Sequence, residues 1–167
     1  IVEQAKARQT YFWSTYQSEI QARWALIVAA GQVLLTAQNI QQALKSPLTA
    51  KAIVHVYTET EQPWCLLDTY HRHMERLYHD FSFSFNEGLE QLLNKARQRY
   101  MAVGETLAEV FLLKYRNDKF QINGVLRQRD IFEKKVKPNF PTGKIAYVWV
   151  DALRYEMAYE LVKTLSG

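Results

Sequence analysis

Apolar residues recur at helical spacing along most of the chain. The pattern predicts helices over residues 2–18 and 20–44. The clearest signal is a seam whose apolar positions alternate between four and three residues apart, which predicts a long amphipathic helix over about 86–116. The seam consists of Leu89, Leu93, Ala96, Tyr100, Val103, Leu107 and Val110.

Proline residues mark the interruptions of this helical pattern. Ser46 and Pro47 are the residue types that favour the N-cap and the first position of a helix, so they predict the start of the next helix. Pro63 predicts a break and a further helix start. A short basic helix is expected over 127–137 and should end before Pro138, because proline ends most helices at the preceding residue.

The pattern changes near the end of the sequence. Residues 145–150, IAYVWV, are rich in β-branched and aromatic side chains and almost continuously apolar, which predicts a strand buried on both faces. Residues 152–165 then predict a helix with apolar positions every four residues. A single strand leaves its backbone groups unpaired. We therefore expect its partner strands to come from later sequence or from another molecule.

These elements predict a mainly α fold class: a multi-helix bundle followed by the opening βα unit of a truncated α/β domain. The expected division is a helical domain over 1–137, a linker over 138–143 and the start of the second domain over 144–167. We interpret both ends of the sequence as cuts in a longer protein. The unpaired βα unit also predicts a homodimer formed by exchange of this unit between two copies.

Composition narrows the class of protein. The chain has 167 residues, of which 48% are apolar and 23% charged, and this balance is typical of a globular domain. Its one cysteine, Cys65, has no partner for an internal disulfide. A lone thiol favours a reducing compartment.

The positive charge is concentrated in one segment. Residues 114–144 contain nine Lys and Arg against three Asp and Glu, which gives +6 within a net charge of +4. Such a segment can contact the phosphates of a nucleic acid. A solvated connector is the favoured interpretation, because no nucleic-acid-binding motif accompanies it.

Two further patterns have a functional and a structural interpretation. His71, Glu75 and His79 follow one another at four-residue steps, a spacing at which a His–Glu pair can chelate a metal. Histidines at the surface or boundary are favoured, since Arg72 nearby would repel a cation. The uncharged run 24–37 is shorter than the roughly 20 apolar residues of a membrane span, so we expect a buried core helix and no membrane contact.

Asp151 follows directly after the predicted strand. In open α/β sheets, ligands bind at this end of the strands, so a carboxylate here either holds a cation or caps the following helix. Arg154 either binds a phosphate or pairs with Glu156 or Glu160. The residues themselves leave both alternatives open.

Residues 150–156, Val-Asp-Ala-Leu-Arg-Tyr-Glu, resemble the opening motif of the PglZ domain, a branch of the alkaline phosphatase-like superfamily. The basic segment before them, with Pro138, Gly143 and Lys144, is similar to what precedes that motif. The resemblance covers residues 144–167, and the helical part resembles the region before such domains only in its arrangement.

The resemblance implies a metal-dependent phosphatase or phosphodiesterase that uses zinc or another divalent metal. Asp151 matches the metal ligand that ends the first strand of the superfamily. Arg154, Tyr155 and Glu156 match motif residues that set the turn and surround the site. The nucleophile and the other ligands are expected downstream, so we expect no catalytic residue in this chain, no metal bound by it alone and no activity of its own.

PglZ proteins occur in bacterial phage-exclusion (BREX) defence systems, so the resemblance also implies a cytoplasmic protein whose partners are other phage-defence proteins. In this interpretation the helical part positions the catalytic domain or docks those partners. The alternative is a non-enzymatic helical interaction module that binds nucleic acid through residues 114–144.

Overall fold

The computed structural model describes residues 2–12, 17–80, 87–144, 146–148 and 150–166. Within them the chain is mainly α, as predicted. The main helices are α1 (Val2–Gln9), α2 (Ser18–Ala43), α3 (Ala50–Thr58), α4 (Leu66–His79), α5 (Glu87–Asn117) and α6 (Tyr155–Ser166). Between α5 and α6 lie a 3₁₀ turn (Gln128–Asp130), a π-helical turn (Phe132–Val136) and a second 3₁₀ turn (Lys137–Thr142).

Helix α2 is the centre of the bundle and packs against α1, α4 and α5. Its side chains Leu26 and Val33 are fully buried against Met74 of α4 and Leu93 of α5. The predicted seam of α5 is confirmed over its first half, where every position but the partly buried Tyr100 is buried as far as Val103. Beyond that residue, α5 extends past the core.

This packing explains part of the apolar run in α2. Helix α2 is long and apolar enough to cross a membrane by length and composition alone. In the structure, Ala30, Val33, Ala37 and Ile40 form one fully buried stripe of the bundle core. The run 24–37 therefore lies in a core helix, as the sequence predicted.

The predicted start of α3 is wrong by a few residues. Residues 47–49 are not helical, and α3 begins at Ala50 rather than at the Ser46–Pro47 pair. Thr49 has an extended backbone, and its side-chain oxygen accepts a hydrogen bond from the Ala52 amide at 3.1 Å. Thr49 is thus the N-cap, whereas the amide of Ser46 still bonds to the turn that ends α2.

The predicted helix end before Pro138 is also wrong. Helical turns continue through Pro138 as far as Thr142. Proline is accepted there because it occupies the first turn of the second 3₁₀ segment, where its missing amide hydrogen costs no hydrogen bond. The expected linker 138–143 is therefore largely helical in the structure.

The predicted strand over 145–150 is absent from the described residues of that segment, which are 146–148 and 150. Ile145 and Trp149 lie outside the described residues. Val148 is 74% exposed and Val150 is 55% exposed. The physical reason is the absence of a second strand in the described chain, since extended backbone without a pairing partner gains nothing over solvation by water.

Candidate functional site

The Asp151 turn is exposed. One Asp151 carboxylate oxygen accepts a hydrogen bond from the Ala152 amide at 2.8 Å, and Ala152 has a left-handed backbone with φ of 55°. In the first turn of α6, the amides of Met157 and Ala158 donate to the carbonyl of Arg154. Asp151 therefore stabilises the turn before α6 and does not cap the helix.

The three motif residues after this turn contact the helical bundle. The guanidinium of Arg154 lies 3.7 Å from Asp68 and 3.2 Å from Glu156. The Tyr155 hydroxyl donates to the carbonyl of Thr58 at 3.3 Å. The structure thus brings Arg154, Tyr155 and Glu156 onto α3 and α4, while Asp151 stays apart in solvent.

Asp68 is the centre of this contact. Its two carboxylate oxygens accept hydrogen bonds from the Tyr57 hydroxyl at 2.9 Å and the Tyr100 hydroxyl at 2.8 Å. Asp68 thereby joins α3, α4 and α5 at the point that Arg154, the residue before α6, contacts. We call Tyr57, Asp68, Tyr100, Arg154 and Glu156 the polar cluster.

Burial and the Asp68 charge determine the electrostatics of the polar cluster. Burial raises the pKa of Tyr57, and the neighbouring Asp68 carboxylate raises it further. Burial and the hydrogen bond to Asp68 also raise the pKa of Tyr100. The hydrogen bond with Tyr100 and the charge of Glu156 raise the pKa of Arg154. The tyrosines are therefore donors at neutral pH, and Arg154 is the one cation of the cluster.

Two buried oxygens, one in the polar cluster and one in the residue after Asp68, lack a hydrogen bond within the described part of the chain. Glu156 is 2% exposed, and its Oε1 faces Arg154 at 3.2 Å without hydrogen-bond geometry. The Thr69 hydroxyl, on a side chain in α4 that is almost fully buried, has no partner at all among those residues. Glu156 is held in the interior by charge balance with Arg154, whereas Thr69 gains nothing from its hydroxyl.

A second set of ion pairs fixes the middle of α6. Glu160 accepts a hydrogen bond from the Arg72 guanidinium, and its other oxygen lies 3.2 Å from Nε2 of His73. Both partners belong to α4. Helix α6 is therefore attached to α4 at two successive levels.

The side chains of the alternative histidine metal site make contacts within the protein. The His71 ring stacks on Tyr100 with centroids 3.8 Å apart. Arg97 donates to both oxygens of Glu75 at 2.7 and 3.0 Å, so that carboxylate already has a cation. Burial lowers the pKa of His71. The structural interpretation of these residues as boundary side chains agrees with this geometry.

The metal predicted at Asp151 needs ligands that the described chain does not bring together. Across residues 2–12, 17–80, 87–144, 146–148 and 150–166, no three His, Cys, Asp or Glu side chains are grouped closely enough to hold an ion. Asp151 offers one exposed carboxylate, which fits as one ligand but makes no site alone.

The polar cluster was missed from the sequence, because its members come from four helices and share no local spacing. The one signal in the sequence was Asp68 beside the apolar positions of α4.

Compared with known proteins, the chain matches no family model, no curated protein and no solved structure. The resemblance of residues 150–156 to the PglZ motif stays a prediction.

Proposed function

We propose that this chain is the helical region and the opening βα unit of a PglZ-type metal-dependent phosphatase or phosphodiesterase. Asp151 is one metal ligand, and zinc or another divalent cation, when bound, stabilises the charge on the phosphoryl oxygens. The helical bundle holds the start of the catalytic domain. The setting implied by the family is cytoplasmic phage defence with other defence proteins as partners.

One observation carries the proposal: the second domain presents an apolar surface that nothing in the described chain covers. The predicted apolar positions of α6 are exposed, with Leu161 at 47% and Leu165 at 78%. Val148 and Val150 before the Asp151 turn are also exposed. A sheet placed against this helix would bury both sets, as in α/β domains, and would give residues 145–150 their partner strands.

The attachment of α6 to the bundle supports the role given to the helical region. Arg154 and Glu156, which follow the proposed metal ligand closely, form the polar cluster with Asp68. Glu160 binds Arg72 and His73 one turn later. Asp151 lies three residues before this attachment, which supports a role of the bundle in orienting a metal ligand there.

The test is hydrolysis of bis-p-nitrophenyl phosphate by the longer protein that contains this sequence and its downstream domain. We expect activity that depends on added zinc or manganese and is lost in Asp151→Ala. Asp118→Ala is the matched control, since Asp118 is an exposed aspartate outside the motif. Wild-type protein that stays inactive with every divalent metal, or an Asp151→Ala variant with full activity, contradicts the proposal.

The uncovered surface has its own test in the 167-residue chain. If two copies of the chain exchange their βα units, size-exclusion chromatography with light scattering should show a homodimer. Leu161→Glu and Leu165→Glu should return the chain to a monomer. A wild-type chain that is monomeric at all concentrations rules out the exchange, while the proposal for Asp151 is judged by the hydrolysis assay.

A second candidate function is a non-enzymatic helical interaction module. It is favoured by one feature, an open groove lined by part of the basic segment 114–144. In that case the Asp151→Ala variant should bind the module's partner with the same affinity as the wild type.

A further inference from the structure

The segment after α5 forms an open groove with the end of that helix. The groove has a volume of about 1380 Å³ and lies between the last turns of α5, residues 119–130 and Lys134. Val54 of α3 closes one side. It is separate from the polar cluster and from the Asp151 turn, none of whose residues line it.

Three aromatic rings form a row along this groove. The rings of Phe111 and Tyr115 are nearly parallel, with centroids 5.5 Å apart and an interplanar angle of 12°. Phe120 meets Tyr115 edge to face at 5.4 Å and is 61% exposed. A large ring left in solvent at the end of an aromatic row offers a flat surface for another planar group.

The backbone at Phe120 is strained. Lys119 and Phe120 have φ values of 53° and 58°, in the left-handed region that bulky residues rarely adopt. The Phe120 amide donates to the carbonyl of Tyr115 at 2.9 Å, which closes the turn at the end of α5. Glycine or asparagine would adopt this turn at lower cost, so the backbone conformation does not favour phenylalanine at this position.

The groove is also cationic. Its lining contains Lys119, Arg127, Arg129 and Lys134 against one carboxylate, Asp130, so its formal charge is +3. Asp130 lies 3.3 Å from Lys134 and 3.8 Å from Arg129. Within the described residues no ion pair involves Lys119 or Arg127.

An aromatic row that ends in the exposed Phe120 ring, in a groove of net positive charge, matches the chemistry of one class of ligand. Bases of a single strand are free to stack on aromatic rings, and its phosphates attract lysine and arginine. Bases in a duplex are stacked on one another and do not reach such rings. We propose that this groove binds single-stranded nucleic acid, with Phe120 as a base-stacking residue. The proposal is independent of the phosphatase function, because it involves neither Asp151 nor a metal.

The first experiment is fluorescence anisotropy of the 167-residue chain with a labelled oligo-dT of roughly 12 nucleotides, within the site sizes of single-strand binders. No divalent metal is added. We expect binding that is tighter than to a duplex of the same length and that weakens as salt rises. Absence of binding at low salt, or equal binding of duplex, overturns the proposal.

The decisive variant is Phe120→Asn. Asparagine favours the left-handed backbone, so the fold is kept while the ring is removed. Loss of one stacking contact should weaken binding by about fivefold to a hundredfold. Phe120→Tyr keeps a ring and should bind like the wild type. Phe12→Ala is the matched control, since Phe12 is 62% exposed and lies outside the groove.

The charge variants test the cations separately. Lys119→Gln with Arg127→Gln should lower the slope of log affinity against log salt by about 1.4, which is the loss of two phosphate contacts to a single strand. Lys45→Gln with Lys95→Gln, two exposed lysines outside the groove, should leave the slope unchanged. Equal binding of a polyglutamate peptide with no effect of Phe120→Asn would identify an acidic-peptide surface and overturn the proposal.

Discussion

Asp68 is the residue whose loss should disturb the bundle most among its polar side chains. It accepts hydrogen bonds from Tyr57 and Tyr100, and Arg154 approaches the same carboxylate. Its side chain is 19% exposed, so water reaches it only in part. Asp68→Ala would leave two hydroxyls without their acceptor and Arg154 without one of its two carboxylates.

The magnitude follows from these contacts. A hydrogen bond to a charged group contributes about 1.5–3 kcal/mol to stability. Because the tyrosines are partly exposed, water can accept their hydrogen bonds in the variant and offset part of the loss. We expect Asp68→Ala to lower the free energy of unfolding by about 2–4 kcal/mol. Asp68→Asn keeps one acceptor oxygen and should cost about half as much. Tyr57→Phe alone should cost about 1 kcal/mol.

The assay is urea unfolding followed by far-UV circular dichroism and by tryptophan fluorescence, which should give coincident transitions. A double-mutant cycle of Asp68→Ala with Tyr57→Phe measures the coupling, expected at about 1 kcal/mol. Asp118→Ala is the control for loss of an aspartate, and we expect a change within about 0.5 kcal/mol. An Asp68→Ala variant as stable as Asp118→Ala, or a cycle without coupling, would refute this account of the polar cluster.

Four further results are expected. Burial and Asp68 raise the pKa of Tyr57, so the folded state keeps this proton at pH values where the unfolded chain loses it. The free energy of unfolding should therefore fall as pH rises above about 10, the pKa of tyrosine in an unfolded chain. In urea unfolding at alkaline pH, Tyr57→Phe should reduce that fall. Thr69→Val removes a buried hydroxyl without a partner in the described chain and should raise the free energy of unfolding by up to about 1 kcal/mol, measured by urea unfolding. A loss of stability would show that a water or another group satisfies the hydroxyl. Cys65 is fully buried and burial raises its pKa to about 11, so iodoacetamide should label it only as the protein unfolds; rapid labelling of native protein contradicts this. The Cβ added by Gly104→Ala in α5 would contact no other atom, so this variant should raise the free energy of unfolding by about 1 kcal/mol. A Cβ on Gly31 would lie 2.5 Å from a Val2 methyl group, so Gly31→Ala should lack this gain in the same unfolding assay.

The helical part of the fold could be predicted from the sequence because its signal is local. The seam of α5 from Leu89 to Val103 has the helical period, and the bundle buries that face. The run 24–37 was assigned to a core helix because it is shorter than a membrane span. Start positions were less predictable, since Ser46 and Thr49 are both good capping residues and only the packing of α3 selects Thr49.

The strand over 145–150 could not be judged from its own residues. Its β-branched and aromatic residues favour a β-strand, but a strand forms only when another strand pairs with it. The polar cluster was unpredictable for a related reason, because Tyr57, Asp68, Tyr100 and Arg154 meet only after four helices have packed. By contrast, the cations of 114–144 were evident in the sequence, but the row of rings beside them depends on the left-handed turn at Phe120.

Helix α5 fixes how two parts of the molecule are oriented. It has 31 residues and is about 46 Å long at 1.5 Å per residue. Tyr100 belongs to the polar cluster and Tyr115 to the groove, which places them about 22 Å apart along one continuous helix. One residue inserted between them would turn the groove by about 100° around the helix axis, whereas seven would displace it by about 10 Å with little rotation. The number of residues between Tyr100 and Tyr115 therefore sets both the direction in which the groove faces and its distance from the polar cluster.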